Sequence, residues 1–381
     1  MNEPSTKVRR YLEWAGVAAL SALLLVAVEV ALRLADRLES GTWRGTRVEQ
    51  FERRIRTTFD LYRRHAYLNT APRESSSATA FGKRASFNSL GYRSPERPLA
   101  KTPGVHRWVF AGGSTTFDLL AENDDDAWPA RLEALLLTSG DCRFEAWNAG
   151  FPGWTSVENV SGVFLRDLDL KPDGFVLFQG INDLQPAAHR PFDRHYEAHA
   201  RKARRALGFD LPALGWSDRS LLLEKIQDFR VGPQDPWQRV GPSDLGARRR
   251  EIEPESLEVF ERNLRAFLSL AQGAGAQVVL VTQTTRLRDE HLEADRRYLG
   301  GWVPGLEPES VAPQLERLND VTRGLAGEGV RVIDAARDIA WEDDHFGDAM
   351  HFSARGSEVF ADYLAQRLKP VLGCGAGHGE P

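Results

Sequence analysis

The chain has 381 residues, enough for one large domain or two small ones. Hydrophobic residues make up 42% and charged residues 27%, which supports a packed core and excludes a wholly disordered chain. The net charge of -5 carries no global footprint of a nucleic-acid binder.

The N-terminal segment differs from the rest. Trp14 to Val28 carries no charge, and the apolar character resumes after Glu29 through Leu32. That length approaches the ~20 residues that cross a bilayer as a helix. Glu29, near one end, can lie close to the interface. Arg33, Asp36 and Arg37 follow where a cleaved signal peptide would need small residues, so residues 1–35 read as a cytoplasmic tail and uncleaved transmembrane anchor. Lys7, Arg9 and Arg10 precede the span, while Arg33, Arg37, Arg44 and Arg47 follow it, so the flanks alone do not decide orientation. The short basic tail favours the N-terminus inside. The expected location is therefore a single pass in a bacterial inner membrane, with the remaining chain periplasmic.

Residues 36–104 are polar and arginine-rich and read as a stalk and lead-in, with turn chemistry in Phe87–Arg93. From Trp108 the pattern alternates. Strands are expected at 108–111, 144–148, 174–179, 277–282 and 330–333. Amphipathic helices are expected at 127–138, 156–168, 257–273, 312–327 and 354–369. Strand alternating with helix predicts a mostly parallel five-stranded sheet covered on both faces. Right-handed crossovers then bring all strand C-terminal ends to one edge. Residues 184–256 break the rhythm and begin at that edge, which predicts a functional insertion within a domain spanning 105–372. Residues 373–381 form a tail.

Several residues at that edge are suited to nucleophilic acyl chemistry, which needs a nucleophile, a base, an orienting carboxylate and oxyanion donors. Ser114 ends the run Trp108–Gly113 and is the candidate nucleophile. His351, after the last strand, is the candidate base, and Asp348 three residues earlier can orient it. His345, in Glu342-Asp343-Asp344-His345, is a local competitor whose plainer reading is a solvated acidic loop. Gly150 or Gly153 could bring a backbone N–H to an oxyanion, and Asn182 in Gly180-Ile181-Asn182-Asp183 could add an amide N–H. Each motif alone is also ordinary turn punctuation.

Together, Gly113-Ser114, Gly153 in Asn148–Ser156, Asn182 and Asp348-x-x-His351 resemble the four blocks of the SGNH hydrolases, the GDSL esterases and lipases. The resemblance spans about residues 105–370. It implies a flavodoxin-like three-layer α/β/α sandwich, no metal or organic cofactor, and an acyl-enzyme on Ser114. It also implies an oxyanion hole formed by the N–H groups of Ser114 and Gly153 and the amide of Asn182. Alignment to the family's Gly-x-Thr-Ser spacing favours Gly153 over Gly150. One departure is Gly113, where the name-giving motif has Asp; a hydrogen bond is lost there or supplied by Thr115. The α/β-hydrolase alternative needs Gly at the position of Thr116.

The insertion opens with His189, Arg190, Arg194, His195, His199, Arg201, Lys202, Arg204 and Arg205. A basic wall for anionic glycans or lipid head groups competes there with a solvated helix face. The i,i+4 spacing of His195 and His199 lacks a third zinc ligand. Trp216, Trp237 and Trp302 could stack on sugars, though packing in the core or a lid is the commoner use of tryptophan. Cys142 and Cys374 fall where the last helix could bring them together as a disulfide. The expected activity is a membrane-anchored, extracytoplasmic serine esterase acting on acyl, chiefly acetyl, esters of an envelope or exported glycan. A lysophospholipase or thioesterase, a sugar O-acyltransferase and a non-catalytic glycan-binding scaffold are the alternatives.

Overall fold

The computed structural model describes residues 6–43, 45–50, 61–68, 70–80, 82–138, 143–200, 219–231, 247–286, 293–327 and 329–372. The helices of more than one turn are α1 (Thr6–Ser40), α2 (Trp128–Thr138), α3 (Ser156–Leu165), α4 (Leu221–Val231), α5 (Pro254–Gly273), α6 (Glu293–Trp302), α7 (Val311–Gly324) and α8 (Ala354–Leu372). The strands of the main sheet are β1 (His106–Gly112), β2 (Phe144–Asn148), β3 (Gly174–Phe178), β4 (Gln277–Val281) and β5 (Val330–Ile333). The chain divides into two compact units, residues 1–56 with 205–243 and residues 57–204 with 244–381.

In the larger unit the five strands are all parallel, in the order β2-β1-β3-β4-β5. This is the flavodoxin-like order, with its switch point between β1 and β3. The expected strands lie within a residue or two of those observed. Both faces are buried, which is why the strands read as nearly continuous apolar runs. Successive side chains of β1 divide between two cores. Val109 and Ala111 join Trp147, Phe175, Phe260 and Phe267 on one face. Trp108 and Phe110 join Trp128, Phe178 and Phe360 on the other. Helices α3, α5 and α7 cover the first face, and α2 and α8 the second.

The lead-in contains an antiparallel hairpin, Ser76–Ala80 with Lys83–Phe87. The turn after it is anchored: Asn88 Oδ1 accepts from the N–H groups of Leu90 and Tyr92, and Tyr92 and Arg93 are buried.

In the smaller unit α1 is long and apolar enough to cross a membrane. Its large apolar side chains, from Leu12 through Val30, are exposed. Cys142, Cys374, Trp216, Trp237, Arg201, Lys202, Arg204 and Arg205 lie outside the described residues.

Candidate active site

Ser114 follows directly on β1. Residues Ser114–Phe117 make one helical turn, and Thr116 Oγ1 donates to the Ala111 and Phe178 carbonyls, joining the ends of β1 and β3. Arg93 supports the same turn from below. Its guanidinium donates to the carbonyls of Phe117 and Asp118, both at 2.9 Å, and pairs with Asp124 at 2.7 Å. Nothing in the arginine-rich lead-in marks Arg93 for this task, since its partners lie far along the chain.

The histidine arrives on a tight loop. Phe346 and Phe352 form an antiparallel bridge, and both rings are buried with Trp341 and Phe360. Between them, Asp348 Oδ1 accepts the N–H groups of Met350 and His351, each at 2.9 Å. Asp348 Oδ2 lies 2.8 Å from His351 Nδ1, and His351 Nε2 lies 2.8 Å from Ser114 Oγ. An ionised carboxylate only accepts, so the proton between Asp348 and His351 belongs to Nδ1. Nε2 is then free to accept from the serine hydroxyl. Burial by itself would raise the Asp348 pKa. The hydrogen bond and charge of His351, with the two backbone N–H donors, hold it below the ordinary carboxylate value. Ser114 and His351 are each only 3% exposed.

Asn182 lies in a short 3-10 turn after β3 and is buried. Its Nδ2 donates to the Trp154 carbonyl at 2.8 Å, which fixes the amide's orientation and leaves a second N–H. An ideal Cβ on Gly113 would fall 2.3 Å from that Nδ2. Glycine before Ser114 is thus what lets the amide lie over the nucleophile turn. Thr115 Oγ1 accepts from Gln283 Nε2 at 2.9 Å.

The two candidate glycines differ. The Gly150 N–H is engaged by Asn148 Oδ1 at 3.0 Å. Gly153 has φ +82 and open space where a Cβ would go, so its requirement is conformational. The adjoining Thr155 begins α3 with a capping box closed by Glu158.

Two groups stand behind these loops. Asp183 accepts from Ser156 Oγ at 2.5 Å and Gln179 Nε2 at 2.7 Å, and Gln179 Nε2 also donates to the Trp154 carbonyl. Burial pushes the Asp183 pKa up to about 6 despite these bonds. Asp118 accepts from the Trp128 N–H at 2.8 Å and Ser357 Oγ at 2.7 Å, tying α2 and α8 to the serine turn. Burial likewise pushes it up to about 6.

Gln283, after β4, is a residue the sequence reading missed. Its Oε1 accepts the Ile181 N–H at 2.7 Å, while Nε2 donates to Thr115 Oγ1 and the Phe178 carbonyl. Its own backbone is held by Asn319, which accepts from the Gln283 N–H and donates to its carbonyl. One side chain thus pins the serine turn to the asparagine turn. Tyr298 of α6 was also missed. Its ring meets the His351 ring edge-on with centroids 6.5 Å apart.

The remaining candidates take other roles. His345 is buried and accepts the Glu342 N–H on Nδ1, closing a turn. His195 is exposed in a turn while His199 is buried on the helical turn that follows, so the pair does not form a helical i,i+4 ligand face. Arg190 pairs with Glu253 and Arg194 with Glu255, which neutralises part of this basic run. Trp302 is partly buried and packs against the first core.

A parallel α/β sheet with serine, histidine and aspartate hydrogen-bonded in a line at its C-terminal edge is the architecture of a hydrolytic enzyme. The chain belongs to the GDSL-like lipase/acylhydrolase family, whose model matches residues 110–359. Among solved structures it is similar to a lipase/acylhydrolase from Enterococcus faecalis, at 17% identity over 70% of this chain and 97% of that one, TM-score 0.41. An acetyl xylan esterase matches at 15% identity over 69% and 99%, TM-score 0.40. A mutant of an acetyl-xylooligosaccharide esterase from Geobacillus Stearmophilus matches at 14% identity over 72% and 97%, TM-score 0.41. A search of curated proteins finds no match.

Proposed function

We propose that the protein is a membrane-anchored, extracytoplasmic serine esterase that removes short acyl groups, chiefly acetyl, from an envelope or exported glycan. The observation that carries the chemistry is the unbroken line Asp348–His351–Ser114, with both contacts at 2.8 Å. In this reading Ser114 Oγ bonds to the ester carbon as its proton passes to His351 Nε2. The carbonyl electron pair moves onto oxygen and is met by the N–H groups of Ser114 and Gly153 and the second N–H of Asn182. Collapse of that intermediate breaks the bond to the sugar oxygen, which takes the proton from Nε2. Water then repeats the sequence on the acyl-enzyme and releases the carboxylic acid.

The short acyl group is supported by the closeness of the site, where Ser114, Asn182 and His351 are all buried. The anchor is supported by the length and apolar surface of α1, and the periplasmic side by the short basic tail that precedes it. The nearness of a bilayer favours one second reading, a lysophospholipase or thioesterase acting on lipid acyl chains.

Assaying the purified full-length protein against aryl esters of rising chain length tests the choice. Rates that peak at acetyl support the glycan-ester reading, and an acetylated oligosaccharide should then release acetate. Rates that peak at long chains overturn it in favour of the lipid reading. Ser114→Ala serves as the control in both cases.

A further inference from the structure

Glu29 follows the longest uncharged run of α1 and is turned toward α4 of the smaller unit. Its carboxylate accepts from Ser220 Oγ at 2.9 Å and from the N–H groups of Leu221 at 3.0 Å and Leu222 at 2.9 Å. These donors open α4, so Glu29 supplies from another helix the negative cap that a helix N-terminus favours. Arg33, one turn along α1, pairs with Glu29 at 2.8 Å and Glu49 at 3.4 Å. The Arg47 N–H donates to Glu224 at 2.8 Å, and its guanidinium pairs with Asp228. Glu224 and Asp228 are four residues apart and define the side of α4 that faces this polar seam.

The opposite side of α4 is apolar. At about 100° per residue, Leu222, Ile226 and Phe229 fall together on the face away from Glu224 and Asp228. Phe229 is 94% exposed and Ile226 45%. Lys225 and Arg230, both exposed, fall on either flank of that stripe. A core helix would cover the stripe, and a solvated helix has no use for Phe229. An apolar stripe bordered by basic side chains is the pattern of a helix lying in the plane of a membrane interface.

We propose that α4 is such a helix: Leu222, Ile226 and Phe229 enter the boundary between headgroups and acyl chains of a phospholipid bilayer, and Lys225 and Arg230 meet the lipid phosphates. The position is set by α1, because Glu29 fixes the start of α4 at the end of the uncharged run, where Val28 and Val30 remain exposed. The inference rests on the reading of α1 as a membrane span. It gives Glu29 a task that a plain anchor would not require.

The test uses the full chain with Cys142→Ser and Cys374→Ser, reconstituted in nanodiscs containing phosphatidylethanolamine and phosphatidylglycerol. Single nitroxide labels are placed at Leu20→Cys, Phe229→Cys and, as an aqueous reference, Thr79→Cys. Collision with oxygen reports acyl chains, and collision with a water-soluble nickel chelate reports solvent. The expected result is oxygen-rich, nickel-poor behaviour at positions 20 and 229, with an oxygen-to-nickel ratio severalfold above that at position 79. A nickel-accessible 229 beside an oxygen-rich 20 overturns the interface helix and keeps the anchor. A label at 229 shielded from both reagents overturns it in favour of a protein contact, such as a second copy. A nickel-accessible 20 overturns the anchor reading and the inference with it.

Discussion

The side-chain amide of Asn182 occupies the space that a Cβ on Gly113 would need, 2.3 Å from its Nδ2. The two residues come from different strand ends, β1 and β3, and their contact sets how closely the amide approaches Ser114. Gly113→Asp should therefore impair this protein. The expected loss in kcat is about 10²–10³, the scale of losing one oxyanion donor, with KM little changed. Steady-state kinetics on a variant with native far-UV circular dichroism checks this. Wild-type kcat in that variant would remove Asn182 from the hole.

Asp348 accepts three hydrogen bonds, from the His351 ring and two backbone N–H groups. Asp348→Asn replaces a pure acceptor with a group that can donate toward Nδ1, which favours the tautomer with its proton on Nε2. That imidazole cannot accept from Ser114. The expected fall in kcat is on the order of 10⁴, with substrate binding retained. Titration of kcat against substrate separates the two effects.

Gln283 holds the serine and asparagine turns together through two of its side-chain atoms, so it acts as a positioning residue. Gln283→Leu keeps the volume and removes both bonds, leaving the buried Ile181 N–H without its acceptor. The expected result is a kcat lowered roughly 10–100-fold at near-constant KM, since a misplacement of about 1 Å costs on the order of 10² in rate. A purely structural role would lower the melting temperature and leave kcat per folded molecule unchanged.

Asp118 and Asp183 are both pushed up to about 6 from an ordinary 3.8. The folded state therefore holds more protons than the unfolded state between about pH 4 and pH 6. By linkage, the stability these groups contribute is fully present below pH 4 and is lost as pH rises through 6. Each shift is worth roughly 3 kcal/mol. Asp348 is lowered and acts in the opposite sense, its contribution being lost as pH falls through the ordinary carboxylate range. Asp118→Asn, with its amide oxygen in the place of Oδ2, can still accept from the Trp128 N–H and from Ser357 Oγ. It should flatten the pH 4–6 slope in urea unfolding and be more stable than the parent at pH 7. A slope equal to the parent's would contradict the assignment.

The sheet was legible because both of its faces are buried. The inner strands, covered on both sides, leave apolar runs, the edge strand β5 keeps an exposed Arg331, and the amphipathic helices between them read at their own period. Ser114, Asn182, Asp348 and His351 were legible because each follows such a run at the C-terminal edge. Gln283 follows one too, but a lone glutamine carries no motif. Arg93 and Glu29 act on partners far along the chain, at Phe117 and Leu221, in segments where charge reads as solvent-facing. His195 and His199 keep i,i+4 spacing without sharing a helix, because Asp193 accepts the N–H groups of His195 and Ala198 and makes a turn there.

In the proposed reaction Ser114 is a nucleophile activated by His351. Fluorophosphonate labelling of the purified full-length protein, followed by peptide mass spectrometry, tests it most directly. One adduct is expected, on the peptide containing Ser114, absent in Ser114→Ala and strongly slowed in His351→Ala. No adduct on the folded protein, or an adduct on another serine that persists in Ser114→Ala, would contradict it.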